Sequence, residues 1–305
     1  MENRQNGQNG QRPPVGYGGR FWHIWGPFII NWGIGIVVGI LAGIAFLGAY
    51  IAAHTKEFMA SQGDQEALMN IYNKMMEVVL QHTTEIEGVT ALITIPVMLF
   101  LYCRDRNREK VYGVIPNKKA PAAKYIMVVI MAGTLSLAMN NLIIIGNLSS
   151  YSESYEQTAT ALYSASMGMQ ILCLGILAPI AEELVFRGLM YRRMREDTGF
   201  VAAVIYSAAV FGLFHGNLVQ MIYGTVMGLM LAYVCEKYGS VLAPIIAHIT
   251  ANLISILATY FKVYEWMLSN IMLIGMITVA CATITAMVFQ VMQKMDEKPE
   301  KAGEN

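Results

Sequence analysis

Long apolar runs separated by short charged clusters dominate the chain. Runs near the roughly 20 residues that a helix needs to cross a hydrocarbon core lie at about 28–53, 86–103, 125–149, 165–190, 200–217, 219–236, 240–261 and 268–292. A spanning backbone has no water to satisfy its polar groups, so the pattern predicts an all-α fold, a polytopic membrane bundle of about eight transmembrane helices. The second run is short, and little more than Gly216–Asn217 separates the fifth from the sixth. Residues 1–20 are rich in Gly, Asn, Gln and Pro and lack both a signal-peptide core and helical periodicity, so they read as a disordered cytoplasmic tail. Residues 21–164 form a first group of transmembrane helices with an outer loop. In that loop Leu68, Tyr72, Met75 and Val79 recur at helical spacing, which predicts an amphipathic helix packed against neighbouring spans. Tyr17, Trp22, Trp25 and Trp32 are expected to anchor the first span at an interface.

Charge adds orientation. Arg104, Arg106, Arg108, Lys110, Lys118, Lys119 and Lys124 crowd one connection and Arg192, Arg193 and Arg195 another, and short basic loops stay on the cytoplasmic side. The loop at about 54–85 carries Glu57, Asp64, Glu66, Glu77 and Glu85 against Lys56 and Lys74, and the one at about 150–164 has acids and no base. Both should face outward, which leaves the N- and C-termini, with the tail 294–305, in the cytoplasm of a cell whose plasma membrane holds the chain. Charged residues make up 14% of the chain, against roughly a quarter in soluble domains. With a formal net charge of zero there is no broad basic face for nucleic acid. Cys103, Cys173, Cys235 and Cys281 lie in or beside apolar runs without the pair spacing of a zinc or redox site, and read as buried thiols.

An ionisable side chain inside a span costs at least about 2.5 kcal/mol even on a lenient insertion scale, so it marks a functional site by default. Three clusters qualify: Glu182-Glu183-Leu184-Val185-Phe186-Arg187 after Pro179, Phe211-Gly212-Leu213-Phe214-His215, and His248-Ile249-Thr250-Ala251-Asn252. Residues four apart share a helix face. Glu183 can therefore pair with Arg187, leaving Glu182, about 100° around the helix, free for other work. His248 and Asn252 share a face, and Phe211 can hold the His215 ring from a turn below. Pro179 and Pro244 lack a backbone donor and are expected to kink their helices beside the polar residues. Rise alone, counted from an interfacial Tyr191 and from Gly239, places Glu182 and His248 at similar depth, about 13 Å from the cytoplasmic boundary. His215 reaches that level only if the turn at Gly216–Asn217 lies within the membrane. His23, His54 and His82 fall at span ends or in loops and read as interfacial or solvated, while Asn140 and Asn141 read as packing donors or cavity liners.

These three clusters, in this order, resemble the CPBP family of intramembrane proteases, which includes CAAX-processing prenyl endopeptidases and bacteriocin-processing or immunity proteins. The resemblance covers roughly 165–262 and makes 165–293 a catalytic transmembrane core. Glu182, Glu183, Arg187, Phe211, His215, His248 and Asn252 meet every position of its pattern. It implies an intramembrane endopeptidase in which Glu182 with His215 activates water while His248 and Asn252 stabilise the oxyanion. The substrate would be a membrane-associated, lipidated or prenylated protein or peptide, or a leader or bacteriocin peptide. Membrane lipid is the other implied partner, and no cofactor is required.

Three other readings stay open. Glu182, His215 and His248 could supply the ligands of a catalytic zinc, although no His-Glu-x-x-His helix occurs. The chain could be a non-catalytic membrane regulator or immunity protein that keeps the motif as structure. A proton-coupled transporter would also use buried acids and histidines, but broken-helix pairs and repeat symmetry are lacking.

Overall fold

The computed structural model describes residues 17–112 and 119–295. Twelve helices of at least six residues cover them: α1 Tyr17–Ala53, α2 Thr55–Ala60, α3 Gln65–Gln81, α4 Thr83–Val111, α5 Tyr125–Ile145, α6 Glu153–Leu162, α7 Met167–Thr198, α8 Phe200–Leu213, α9 Leu218–Tyr238, α10 Leu242–Tyr260, α11 Val263–Leu268 and α12 Ile271–Gln293. Among the described residues no strand occurs. Seven helices (α1, α4, α5, α7, α9, α10 and α12) are long and apolar enough to cross a membrane. The chain is an all-α, multi-pass integral membrane protein.

The expected fifth span is different. α8 has 14 residues, which at about 1.5 Å each reach roughly 21 Å, short of the ~30 Å hydrocarbon core. A helix entering from the cytoplasmic side would thus turn within the bilayer, and the Gly216–Asn217 turn after it need not reach the far surface. Gly216 takes φ +76°, and the Asn217 carboxamide oxygen caps α9 by accepting from Gln220 N–H at 2.9 Å.

α7 is flanked by α4 on one side and α10 on another, and by α1 and α8 along its C-terminal half. α5 packs between α10 and α12, tied to α12 by the Thr134–Thr285 hydroxyl pair at 2.7 Å. The shared core draws Met98 from α4, Val128 from α5, Leu184 and Leu189 from α7, Leu231 from α9 and Ala247 from α10. α8 and α9 form an antiparallel hairpin through small residues. A methyl on Gly224 would lie 3.2 Å from the Gly212 Cα, and one on Gly228 would lie 3.0 Å from the Ala208 Cα. Ala208 and Gly212 on α8, like Gly224 and Gly228 on α9, are four apart, the small-xxx-small pattern that lets membrane helices approach closely.

Several expectations need correction. Helix α1 starts at Tyr17, so 17–20 are helical rather than tail; residues 1–16, Lys118 and residues 296–305 lie outside the described residues. The amphipathic helix exists as α3, but Ile71 is its buried residue, whereas Leu68 and Tyr72 are exposed. The apolar positions surround enough of α3 that its neighbours, not its periodicity, choose the inner face. Trp22 and Trp32 are exposed, while Trp25 packs edge-on against Phe28 and Tyr206. The Tyr17 side chain lies outside the description. Tyr191 is buried and donates to Glu236 at 2.7 Å, so it is no interfacial marker, and α7 continues past it to Thr198. Pro244 stands in the first turn of α10, where a missing N–H costs nothing, and starts that helix instead of kinking it. Cys173, Cys235 and Cys281 are buried free thiols, but Cys103 is exposed.

Candidate active site

α7 is not a uniform helix. Residues Gln170–Leu177 and Leu184–Tyr191 are wound in π register, with an α-helical turn, Ala178–Glu183, between them. The Ala178 N–H donates to the Cys173 carbonyl, a bond to the fifth residue back. π segments of this kind widen a helix and recur at functional sites, and here they bracket the turn that carries both glutamates.

Glu183 is fully buried and its Oε1 accepts twice: from Arg187 Nη1 at 2.8 Å and from His248 Nδ1 at 2.9 Å. Arg187, also fully buried, donates through Nη2 to the Gly228 carbonyl at 3.2 Å, and its guanidinium lies 4.4 Å from the Phe211 ring centre. A buried charge persists only if it is paired and hydrogen-bonded, and this arrangement supplies an ion pair, a carbonyl and an aromatic face. The expected Glu183–Arg187 pair thus forms, and it gains a third partner from α10.

That third contact sets the state of His248. A carboxylate that already accepts from Arg187 takes a hydrogen from Nδ1, so Nε2 is the nitrogen turned toward the remaining acid. It lies 3.8 Å from Glu182 Oε2. The Glu182 side chain is 33% exposed, whereas its neighbour Glu183 is sealed. Two adjacent acids therefore occupy unlike surroundings, one neutralised inside the bundle and one open to a crevice.

His215 sits at the end of the short α8, in the turn before α9. Its Nδ1 lies 2.8 Å from the Phe211 carbonyl, which can only accept, so this histidine too presents Nε2 outward. Phe211 stands edge-on to both imidazoles, with ring centres 4.9 Å from His215 and 5.7 Å from His248. One aromatic ring thereby joins the second and third sequence clusters. Asn252 lies one turn beyond His248, and its Nδ2 donates to the Leu174 carbonyl in α7 at 2.9 Å. One of its two amide hydrogens is therefore committed to backbone.

Among the described residues no three His, Cys, Asp or Glu side chains gather closely enough to hold a metal ion. Asn140, one of the expected packing donors, bonds Ser255 at 3.1 Å and the Ser136 carbonyl at 2.9 Å, and Asn141 donates to the Met267 sulfur.

Sequence reasoning passed over Glu87. It lies in the first turns of α4, is exposed, and its carboxyl stands within electrostatic reach of Glu182. The signal was present, since the second apolar run begins at 86 and so contains an acid.

Residues 164–254, which contain all seven motif residues, match the family described as Type II CAAX prenyl endopeptidase Rce1-like. The chain is also similar to a protein of Bacillus subtilis (strain 168) named "Putative membrane peptidase YdiL", with 31% identity over 84 residues, 28% of this chain. The matched stretch is 34% of that relative's length, about a third. No solved structure matches the chain significantly.

Proposed function

We propose that the chain is an intramembrane endopeptidase that hydrolyses a peptide bond of a membrane-associated or lipidated substrate. The observation that carries this reading is the pairing of an accessible Glu182 carboxylate with His248 Nε2 at 3.8 Å, the imidazole being held from behind by the sealed Glu183–Arg187 pair. Support also comes from the Rce1-like match and from a relative whose name contains membrane peptidase.

The chemistry follows from the partners of each group. Water in the crevice gives a proton to Glu182, assisted by His215 Nε2, as its oxygen bonds to the peptide carbonyl carbon. Negative charge then grows on the carbonyl oxygen. An imidazolium form of His248 can donate to it from Nε2, since Glu183 stabilises the added charge at Nδ1, much as a carboxylate backs the histidine of a serine protease. The second amide hydrogen of Asn252 is a further donor. Each pre-aimed donor of this type is worth roughly 2.7–4 kcal/mol in the barrier. Collapse of the intermediate breaks the C–N bond, and the amine nitrogen takes the proton back from Glu182.

A CAAX-type substrate would carry a prenyl group, and a leader or bacteriocin-type substrate an apolar peptide; both would reach the crevice from the membrane. Both termini of the chain are assigned to the cytoplasm and the protein to the plasma membrane. The test is cleavage of a peptide library in liposomes by the wild type and by Glu182→Ala, His215→Ala and His248→Ala. Loss of cleavage in each variant, with thermal unfolding unchanged for Glu182→Ala, is expected. Undiminished cleavage by Glu182→Ala would overturn the reading.

A further inference from the structure

The bond from Asn252 to Leu174 has a specific origin in the register of α7. In an α-helix each carbonyl is served by the N–H four residues on; in π register the donor is five on. The Ala178 N–H serves Cys173, so the next bond in the same register would run from residue 179 to the Leu174 carbonyl. Residue 179 is proline and has no N–H. In that register the Leu174 carbonyl has no backbone donor. It is also the carbonyl that Asn252 Nδ2 reaches, at 2.9 Å, from α10.

We infer that Pro179 and Asn252 are a complementary pair of positioning residues: the proline withholds a donor from α7 and the asparagine supplies one from α10, which fixes the glutamate turn against the helix carrying His248. Pro179 lies three positions before Glu182 and Asn252 four positions after His248, so the splice lies one turn from the 3.8 Å Glu182–His248 approach on both helices. An unserved carbonyl in this non-aqueous setting is costly, which gives the bond a reason to persist. The same bond orients the Asn252 amide, so that its second hydrogen is directed by α7 instead of being free to rotate. The tight seat of Gly175 against Leu253, where an added methyl would come within 2.7 Å of Cδ2, holds the two helices together at this level.

The inference about activity rests on the proposed peptidase reading, but the pairing itself does not. A double-mutant cycle therefore uses two readouts on the full-length protein in detergent or liposomes. Thermal unfolding is measured for wild type, Asn252→Ala, Pro179→Ala and the double variant. Asn252→Ala should lower Tm by several degrees in the wild-type background and by less than half as much in the Pro179→Ala background, where the substituted backbone regains an N–H for the Leu174 carbonyl. Equal shifts in both backgrounds would overturn the pairing, whatever the protein cleaves. Cleavage is then compared across the same four proteins. Both single variants should lose at least tenfold in kcat with KM little changed, and the double should be no worse than the poorer single. Multiplying losses, or a Pro179→Ala enzyme with full kcat, would overturn the positioning role. If no variant or wild type cleaves any substrate, the peptidase reading fails while the Tm cycle still decides the pairing. Pro179→Ser repeats the cycle should Pro179→Ala express poorly.

Discussion

Glu182 and Glu183 are adjacent in sequence and opposite in circumstance, and the difference predicts separable phenotypes. Glu183 is buried with Arg187 and His248 on one oxygen. Its replacement by Ala strands a buried guanidinium, and breaking such a pair from one side costs about 3–5 kcal/mol. Glu183→Ala should therefore lower Tm steeply and lose cleavage with it, whereas Glu182→Gln should lose cleavage at nearly unchanged Tm. A Glu183→Gln variant keeps an acceptor for His248 Nδ1 and should be the milder of the two at 183, measured by the same melts. The four-residue spacing made the Glu183–Arg187 pair legible in the sequence. The contact with His248 was not, because it joins residues 65 positions apart and depends on how α7 and α10 pack.

Helix existence was well marked by apolar runs, but register and inner face were not. Periodicity cannot distinguish a π turn from an α turn when nearly every residue is apolar, so the bracketing of Ala178–Glu183 was invisible. In α3 the apolar residues cover too much of the circumference for spacing to choose a face, and the inner one fell on Ile71 and not on Leu68 and Tyr72. A clearer signal was overlooked: Gly224 and Gly228, four apart in an apolar helix, mark a close-packing face. Their hairpin partner Gly212 allows a direct prediction. A methyl there would collide with Thr225 Oγ1 and the Met221 carbonyl, and Gly212 lies three residues before His215. Gly212→Val should push α8 from α9 at an overpacking cost of about 1–3 kcal/mol and displace His215. The measurable outcome is a lower Tm and loss of cleavage, while Gly39→Ala in α1, where a methyl meets nothing within 4 Å, should leave both unchanged.

At the scale of the whole molecule, the residues expected to set orientation also bolt the helix ends together. Arg193 is buried, donates to Asp105 of α4 at 2.7 Å and to the His23 carbonyl of α1 at 2.6 Å, and Arg195 meets Glu236 of α9 at 3.0 Å. Charge counting could see these arginines only as cytoplasmic markers, since their partners come from helices far apart in sequence. Their pairing with acids weakens each as a free positive charge, so orientation leans on the remaining bases of the α4–α5 connection. The assignment predicts the two ends of α7 and the α2–α3 turn by side. In a Cys103→Ser background, which removes the one exposed native thiol among those described, a cysteine at exposed Gln62 should react with a membrane-impermeant maleimide on intact cells. One at exposed Thr198 should react only after permeabilisation. The reverse pattern would place the basic connections outside, turn the short α8 to enter from the other face, and move the Glu182 crevice toward the opposite leaflet.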